Sequence, residues 1–225
     1  MDRLQPIKQQ LRRLGVDMYQ PCTSDGNTLC WMLQFQPVWN CILNPHGPEL
    51  IQERPDELSF RTLHLQNRTE VDPAETLTSV CLALWVLSHH RCITSLHLNG
   101  VVISPCYIPV LYGLLRLHDD YVEVAVEGGN PVPHGLSRNC VLEAFRSMRK
   151  LRAIRLSGLH LTASAGYDLC TLVSNNVNLK VLDLRLVKTN IEVTSSLFQE
   201  LAKLDFLKNF TLMFLRKNLS IRMKI

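Results

Sequence analysis

The sequence predicts an α/β fold in which short parallel strands alternate with helices along a repeating chain. Three observations support this class: leucine supplies 39 of the 225 residues, a motif of the form apolar-x-x-apolar-x-apolar recurs six times, and successive copies start 28–33 residues apart. The copies begin at Phe60, Ile93, Tyr121, Leu151, Leu179 and Leu207. Self-similarity at a nearly fixed period of this length is typical of a solenoid, so we expect each motif to mark one strand.

The segments between the motifs carry apolar residues at helical spacing, which predicts one helix per unit. The clearest helix runs from Pro73 to Ser88, since proline is well tolerated in a first helical turn. Others are expected at 107–117, 141–148, 169–173 and 197–204. A helix is wider than the spacing between strands. The stack should therefore curve into a horseshoe segment, with parallel strands on the concave face and helices on the convex face.

Units of 28–30 residues with the motif LxxLxL followed by a helix resemble leucine-rich repeats of the ribonuclease-inhibitor type. Such repeats also form the ligand-sensing end of NOD-like receptors and occur in substrate receptors of ubiquitin ligases. The resemblance implies a protein-binding surface on the concave strands. The family usually has Asn or Cys three positions after the last motif leucine, whereas this chain has Arg68, Val101, Leu159 and Val187, so we expect irregular turns.

The repeat period divides the chain into an N-terminal cap at 1–58, about six repeats at 59–215 and a short tail at 216–225. In the cap, a helical stretch of apolar residues ends at Gly15, a typical helix stop. Apolar side chains that would cover the first repeat are Trp31, Leu33, Phe35 and Trp39. The alternative for the cap is a degenerate F-box-like element. The tail shows no polar capping repeat, so we expect a truncated array or an interface there.

Composition and motifs exclude several classes of function. No apolar run is long enough to span a bilayer, and the first residues do not form a secretory signal, which predicts a cytoplasmic protein with no membrane contact. The eight cysteines contain no Cys-x-x-Cys pair, so reduced thiols with no metal and no cofactor are expected. The pair His89-His90 is interpreted as cations at a helix C-terminus. No nucleotide-binding loop or catalytic motif is present, which predicts a non-enzyme with no small-molecule substrate.

The remaining hypothesis is recognition of a protein. Residues 141–225 carry 14 basic and 6 acidic groups, and a basic region favours an acidic partner surface. We expect the partner-binding residues to be outward-facing positions of the predicted strands, namely His64, His97, Glu123, Arg152, Arg155, Lys180, Asp183, Arg185 and Lys208. The predicted function is therefore a non-enzymatic scaffold or receptor arm.

Two alternatives stay open. One is a substrate-recognition subunit of a ubiquitin ligase, recruited through the F-box-like element. The other is nucleic-acid binding through the basic C-terminal third. The second alternative is disfavoured, because aromatic residues for base stacking are few in that third and most of them occupy predicted core positions.

Overall fold

A computed structural model describes most of the chain as two compact units, unit 1 (residues 1–95) and unit 2 (residues 96–225). This division differs from the expected boundary at residue 58, and the expected three-part organisation stays a prediction. The described residues are 4–22, 30–44, 48–54, 57–62, 73–99, 120–127, 142, 145–158, 160–189, 191–203 and 209–214.

Unit 1 begins with helix α1 (Gln5–Arg13), which ends where the sequence predicts. Gly15 follows it with φ of 74°, the left-handed conformation that glycine adopts without steric cost. The Gly15 N–H donates to the Arg12 carbonyl at 3.0 Å, and the Val16 N–H donates to the Leu11 carbonyl at 2.9 Å. This pair of bonds is a Schellman motif, and the burial of Leu11 and Val16 completes it.

The rest of the expected cap contains two short helices, α2 (Trp31–Gln34) and α3 (Gln36–Leu43). It also contains a strand that the sequence did not predict, β1 (Pro48–Arg54), which pairs antiparallel with β2 (Glu57–Thr62). Asn40 holds the Leu50 backbone: its Nδ2 donates to the Leu50 carbonyl at 2.8 Å and its Oδ1 accepts from the Leu50 N–H at 2.7 Å.

The predicted cover residues divide into two groups. Trp31 and Trp39 are buried, whereas Phe35 is exposed and Leu33 is half-buried.

Helix α4 (Pro73–His89) confirms the first predicted helix. Its buried side chains include Leu87, which the helical spacing selects, and Leu82, Trp85 and Val86, which it does not. The segment is apolar on almost every side, so its sequence does not specify one inward face. Strand β3 (Ile93–Asn99) follows and runs across the boundary between the two units.

Unit 2 continues with five further strands and two helices among its described residues. They are β4 (Glu123–Glu127), β5 (Ala153–Ser157), β6 (His160–Leu161), α5 (Ala163–Asn175), β7 (Val181–Thr189), α6 (Ile191–Leu201) and β8 (Asn209–Phe214). Strands β4, β5, β7 and β8 are neighbours in that order and parallel, and β6 pairs with part of β7. The α/β class with mostly parallel strands is thus confirmed, while the curved solenoid stays a prediction.

The register of these strands matches the repeat. Each strand pairs its motif residues with the same motif positions of the next strand, and one row runs through Val124, Ile154, Leu182 and Phe210. Val124, Ile154 and Leu182 are fully buried. Equivalent residues 28 or 30 positions apart in the chain are therefore direct neighbours in the sheet.

The predicted helical stretches supply the rest of the described core of unit 2. Buried residues from them are Leu142, Phe145, Met148, Leu169, Leu172, Val173, Leu197 and Leu201. The predicted helix at 107–117 lies outside the described residues. No helix in the described part of the chain is both long and apolar enough to cross a membrane.

Helix α5 ends at Asn175, and Asn176 follows as its C-cap residue. The Asn176 side chain is fully buried. Its Oδ1 accepts from the Leu151 N–H at 2.8 Å, and its Nδ2 donates to the carbonyls of Met148 at 3.0 Å and Leu172 at 2.7 Å. One asparagine thus connects the end of a helix to the start of the preceding unit's strand.

Candidate functional site

Unit 2 presents a row of polar side chains from neighbouring strands, here called the polar strand face. It consists of His97, Glu123, Arg155, Asp183 and Arg185. Successive side chains of a strand point to opposite sides of the sheet, so the burial of the motif residues leaves these positions on the other side. The register also places Ala125, Arg155, Asp183 and Thr211 side by side, as the repeat predicts.

The polar strand face alternates in charge. Arg155 forms an ion pair with Glu123 of the adjacent strand, and His97 Nε2 lies 3.5 Å from the same carboxylate. Both partners of the Arg155–Glu123 pair are partly exposed, so the pair orients the two side chains more than it stabilises the fold.

Asp183 and Arg185 form a second pair within strand β7. The Nε of Arg185 donates to Asp183 Oδ1 at 2.9 Å, and the guanidinium Nη2 lies 2.6 Å from Oδ2. The hydrogen bond that Arg185 donates to Asp183, together with the negative charge of Asp183, raises the pKa of Arg185. This fork geometry is the bidentate arrangement that carboxylates and arginine favour. It holds Asp183, which is nearly buried, against an exposed cation.

These pairs change the predicted basic cluster. Arg155 and Arg185 already bind carboxylates of the same chain: Glu123 lies on the strand next to Arg155, and Asp183 lies two residues before Arg185 on the same side of β7. Arg152 and Lys180 remain exposed, and no carboxylate of the described residues lies within ion-pair distance of either. The Lys180 N–H donates to the Arg152 carbonyl at 2.8 Å, so their backbones are adjacent. His64 and Lys208 lie outside the described residues.

A second group of functional side chains lies in unit 1, where the sequence predicted no site. Cys22, Cys30, His90 and Cys92 place their sulfur and nitrogen ligand atoms within 4.8 Å of one another. We call these four residues the cysteine–histidine cluster. Cys30, His90 and Cys92 are buried and Cys22 is half-buried. No described cysteine forms a disulfide.

Three separate chain segments position the cluster. Cys30 lies at the start of α2, where its carbonyl accepts from the Leu33 N–H at 2.9 Å. The Trp31 indole donates to the Gln20 carbonyl at 2.9 Å and so fixes the segment that carries Cys22. The Cys92 carbonyl accepts from the Leu58 N–H at 3.2 Å, which anchors the short loop between α4 and β3.

The His90 imidazole is enclosed by aromatic rings. Its centroid lies 5.1 Å from that of Trp31 and 5.5 Å from that of Trp85, both nearly perpendicular. Nδ1 lies 3.6 Å from Cys30 Sγ, and Nε2 is buried with no hydrogen-bond partner among the described residues. His90 is therefore a buried residue enclosed by aromatic rings, not an exposed residue at the end of α4. His89, its neighbour, is exposed and stacks on Trp85.

The surroundings of Cys30 and Cys92 raise the pKa of both thiols. Hydrogen bonding with Cys22 raises the pKa of Cys30, and hydrogen bonding with Cys22 and Cys30, followed by burial, raises that of Cys92 strongly. Crowded thiols resist ionisation because two neighbouring negative charges repel. A bound divalent cation reverses this preference, since it stabilises the thiolates.

The sequence does not reveal this cluster, because its ligands lack the short spacings that zinc motifs have. The closest pairs along the chain are His90-x-Cys92 and the eight-residue step from Cys22 to Cys30. Neither is a recognised metal motif, and the two pairs are about 60 residues apart. Only the fold brings them together.

Comparison with known proteins gives no assignment: no protein-family model and no curated protein matches this chain. The function must therefore be argued from the residues themselves.

Proposed function

We propose that this chain is a non-enzymatic binding protein that contacts a protein partner through the polar strand face of unit 2, in the manner of leucine-rich repeats. The observation that supports this proposal most directly is the group of charged side chains on one side of the adjacent strands β4, β5 and β7, in which register places Arg155 beside Asp183 and Glu123 forms an ion pair with Arg155. Parallel strands lie about 4.8 Å apart, so the row is a closely spaced, ordered surface.

The arrangement of charge favours a protein partner over a nucleic acid. Glu123 and Asp183 lie between the cations of this face, and carboxylates at these positions repel a phosphate backbone. A partner with both signs of charge matches an alternating surface, because complementary patterns orient an encounter and exclude wrong partners. The ion pairs within the chain hold Arg155 and Arg185 in place before the partner arrives.

Arg152 and Lys180 supply the attraction for an acidic patch on the partner. Both are exposed, and neither has an ionic partner among the described residues that a new contact must displace. We therefore expect the acidic group of the partner to lie against these two cations, at the beginning of strands β5 and β7. The absence of disulfides among the described cysteines supports a reducing compartment such as the cytoplasm.

The test compares two charge-reversed variants with equal changes in net charge. The first carries Arg152→Glu and Lys180→Glu, and the second carries Arg12→Glu and Arg13→Glu on the exposed side of α1. Each variant and the parent chain are immobilised, exposed to cell lysate with and without nuclease, and the retained proteins are quantified by mass spectrometry. Retained candidates are then purified, and their affinities for all three chains are measured.

We expect a partner that binds the parent and the α1 variant equally and binds the Arg152/Lys180 variant at least about tenfold more weakly, the equivalent of about 1.4 kcal/mol. Equal binding by all three chains would show that Arg152 and Lys180 do not contact the partner. Ubiquitin-ligase scaffold proteins retained by all three would favour recruitment through the N-terminal region. Loss of binding after nuclease treatment would favour nucleic acid.

A further inference from the structure

The cysteine–histidine cluster has the ligand set and geometry of a metal site. Cys22, Cys30 and Cys92 supply three sulfur atoms and His90 supplies one nitrogen, all within 4.8 Å of one another. We propose that these four residues bind one zinc ion in a closed, tetrahedral site that fixes the structure of unit 1. This inference is independent of the proposed partner-binding face, which lies in unit 2.

The distances agree with zinc geometry. Zinc–sulfur bonds of about 2.3 Å and zinc–nitrogen bonds of about 2.0–2.1 Å place tetrahedral ligand atoms about 3.6–3.8 Å apart. Cys30 Sγ and His90 Nδ1 are already 3.6 Å apart. The widest separation in the cluster, below 4.8 Å, requires a contraction of about 1 Å.

The imidazole of His90 is suited to serve as a ligand. Its polar contacts among the described residues are limited to the long one with Cys30, and its other ring nitrogen is buried without a hydrogen-bond partner there. Buried polar atoms are nearly always satisfied, so this ring has unused capacity on both nitrogens. A metal bond from Nδ1 uses the lone pair that no strong hydrogen bond occupies.

The chemistry of the ligands favours zinc. Thiolates select zinc, copper(I) or iron–sulfur clusters over calcium and magnesium, and a mixed tetrahedral set of three sulfurs and one nitrogen is a common structural zinc site. Four protein ligands leave no open position for substrate water, so the expected role is structural. The half-buried Cys22 provides the side from which the ion enters.

A zinc ion here would connect segments that otherwise have few regular contacts. Cys22 follows a turn after α1, Cys30 precedes the four-residue helix α2, and His90 and Cys92 lie in the loop between α4 and β3. Short elements of this kind do not hold a fold by themselves. The energy of metal binding becomes folding energy when the site exists only in the folded chain.

The first experiment measures metal content directly. The full chain is purified under reducing conditions, without a histidine tag or chelator. Its zinc, iron and copper contents are then quantified by elemental mass spectrometry. We expect about one zinc per chain. Cobalt(II) added to the demetallated chain should give the visible bands of a tetrahedral ion together with thiolate-to-cobalt charge transfer.

Matched variants then assign the ligands. Cys22→Ser removes the most exposed ligand and so disturbs packing least, and His90→Cys replaces nitrogen by a second suitable donor. The controls are Cys41→Ser, an exposed cysteine in α3, and His89→Gln, the exposed neighbour of His90. We expect Cys22→Ser to weaken zinc binding by at least about 100-fold, beyond the ~10–100-fold effect of residues behind the ligands. Both controls should bind as the parent does, and His90→Cys should retain zinc with an altered cobalt spectrum.

Several results would overturn the proposal. The first is a reduced, folded chain that contains no zinc, and the second is a chain that contains iron or copper instead of zinc. The others are a disulfide among Cys22, Cys30 and Cys92 in the freshly isolated chain, and equal zinc affinities of Cys22→Ser and Cys41→Ser. If Cys22→Ser does not fold, release of zinc from the parent chain by a thiol-specific mercurial decides the matter. About one equivalent of zinc released as the thiols react supports the site, and no release contradicts it.

Discussion

The two units of this protein are organised by different kinds of contact. In unit 2, neighbouring strands join residues 28 or 30 positions apart, and the same step recurs from β4 to β8. In unit 1, the contact between Cys30 and His90 spans 60 residues and has no counterpart elsewhere in the described chain. A repeated contact can be inferred from a pattern, whereas a single distant contact cannot.

The energetic consequence of this difference is testable. A stack of similar units gains stability from each neighbouring interface, so the loss of one interaction weakens unit 2 by a limited amount. Unit 1 concentrates its long-range contacts around the cysteine–histidine cluster and the rings of Trp31, Trp39 and Trp85. Damage at that centre should therefore have the larger effect.

The largest expected effect follows from removal of the proposed zinc ion. Structural zinc contributes about 10–16 kcal/mol to the folding of zinc-finger peptides, which is comparable to the whole stability of a typical domain, about 5–15 kcal/mol. We expect a strong chelator to unfold unit 1. All three tryptophans of the chain lie in unit 1, so a red shift of tryptophan emission reports its unfolding specifically.

The control for this prediction is unit 2 of the same molecule. Amide hydrogen exchange of β5 and β7 should be nearly unchanged when the tryptophan emission shifts. Addition of zinc should restore the emission, and magnesium should not. Unchanged emission on complete removal of zinc would show that the aromatic cluster holds unit 1 without the ion.

The sequence predicted the strands of unit 2 well because their pattern is local. Leucine and β-branched residues at alternating positions mark β4, β5, β7 and β8, and the period sets their register. Strand β1 was not predicted, since its residues alternate weakly and lie among prolines. The inward face of α4 was predicted only in part, at Leu87, because a helix that is apolar on nearly every side has little periodic signal.

The comparison of turn positions with leucine-rich repeats did not point to Asn176. The family position for a turn asparagine holds other residues in this chain, and the prediction was irregular turns. Asn176 nevertheless joins the end of α5 to Met148 and Leu151 with its buried amide. Asn176 lies at the end of a helix, whereas the family position for the asparagine follows the strand.

A substitution at Asn176 gives the second expected effect, which is confined to unit 2. Asn176→Ala leaves the Leu151 N–H and the carbonyls of Met148 and Leu172 without the partner they have now. Each such bond contributes about 1 kcal/mol, so we expect a loss of about 2–4 kcal/mol in the free energy of unfolding. Urea denaturation followed by circular dichroism measures it.

The neighbouring asparagine provides a matched control. Asn175 is half-buried, and its Nδ2 makes a longer bond, 3.4 Å, to the Arg146 carbonyl. We expect Asn175→Ala to cost less than about 1 kcal/mol. Tryptophan emission in native buffer should be the same for both variants, because the three tryptophans lie in unit 1. Equal destabilisation by the two substitutions would mean that the buried amide of Asn176 does not connect these segments.

The sequence predicted which strand positions face outward on the candidate partner surface, but not how the charges there pair. Outward positions such as Arg155 and Asp183 follow from strand alternation. Their pairing depends on which strand lies beside which and on side-chain conformation, and a count of charges along the chain contains neither. The sequence predicted a basic surface, whereas in the structure Glu123 pairs with Arg155 and Asp183 pairs with Arg185, so the charges alternate.

The smallest expected effect concerns the end of α1 in unit 1, which the local sequence predicts. Gly15 has φ of 74° and no neighbouring atom that an added Cβ would meet, so only backbone strain opposes Gly15→Ala. The left-handed conformation costs other residues about 1–2 kcal/mol, and we expect a loss of about 1 kcal/mol, measured by urea denaturation followed by tryptophan emission. Gly15→Asn should cost less, since asparagine tolerates this conformation better than alanine does.

Neither variant should alter zinc content, because the end of α1 contributes no ligand to the cluster. Loss of zinc from either variant would show instead that the turn after α1 positions Cys22, and that the local and the long-range parts of unit 1 fold as one.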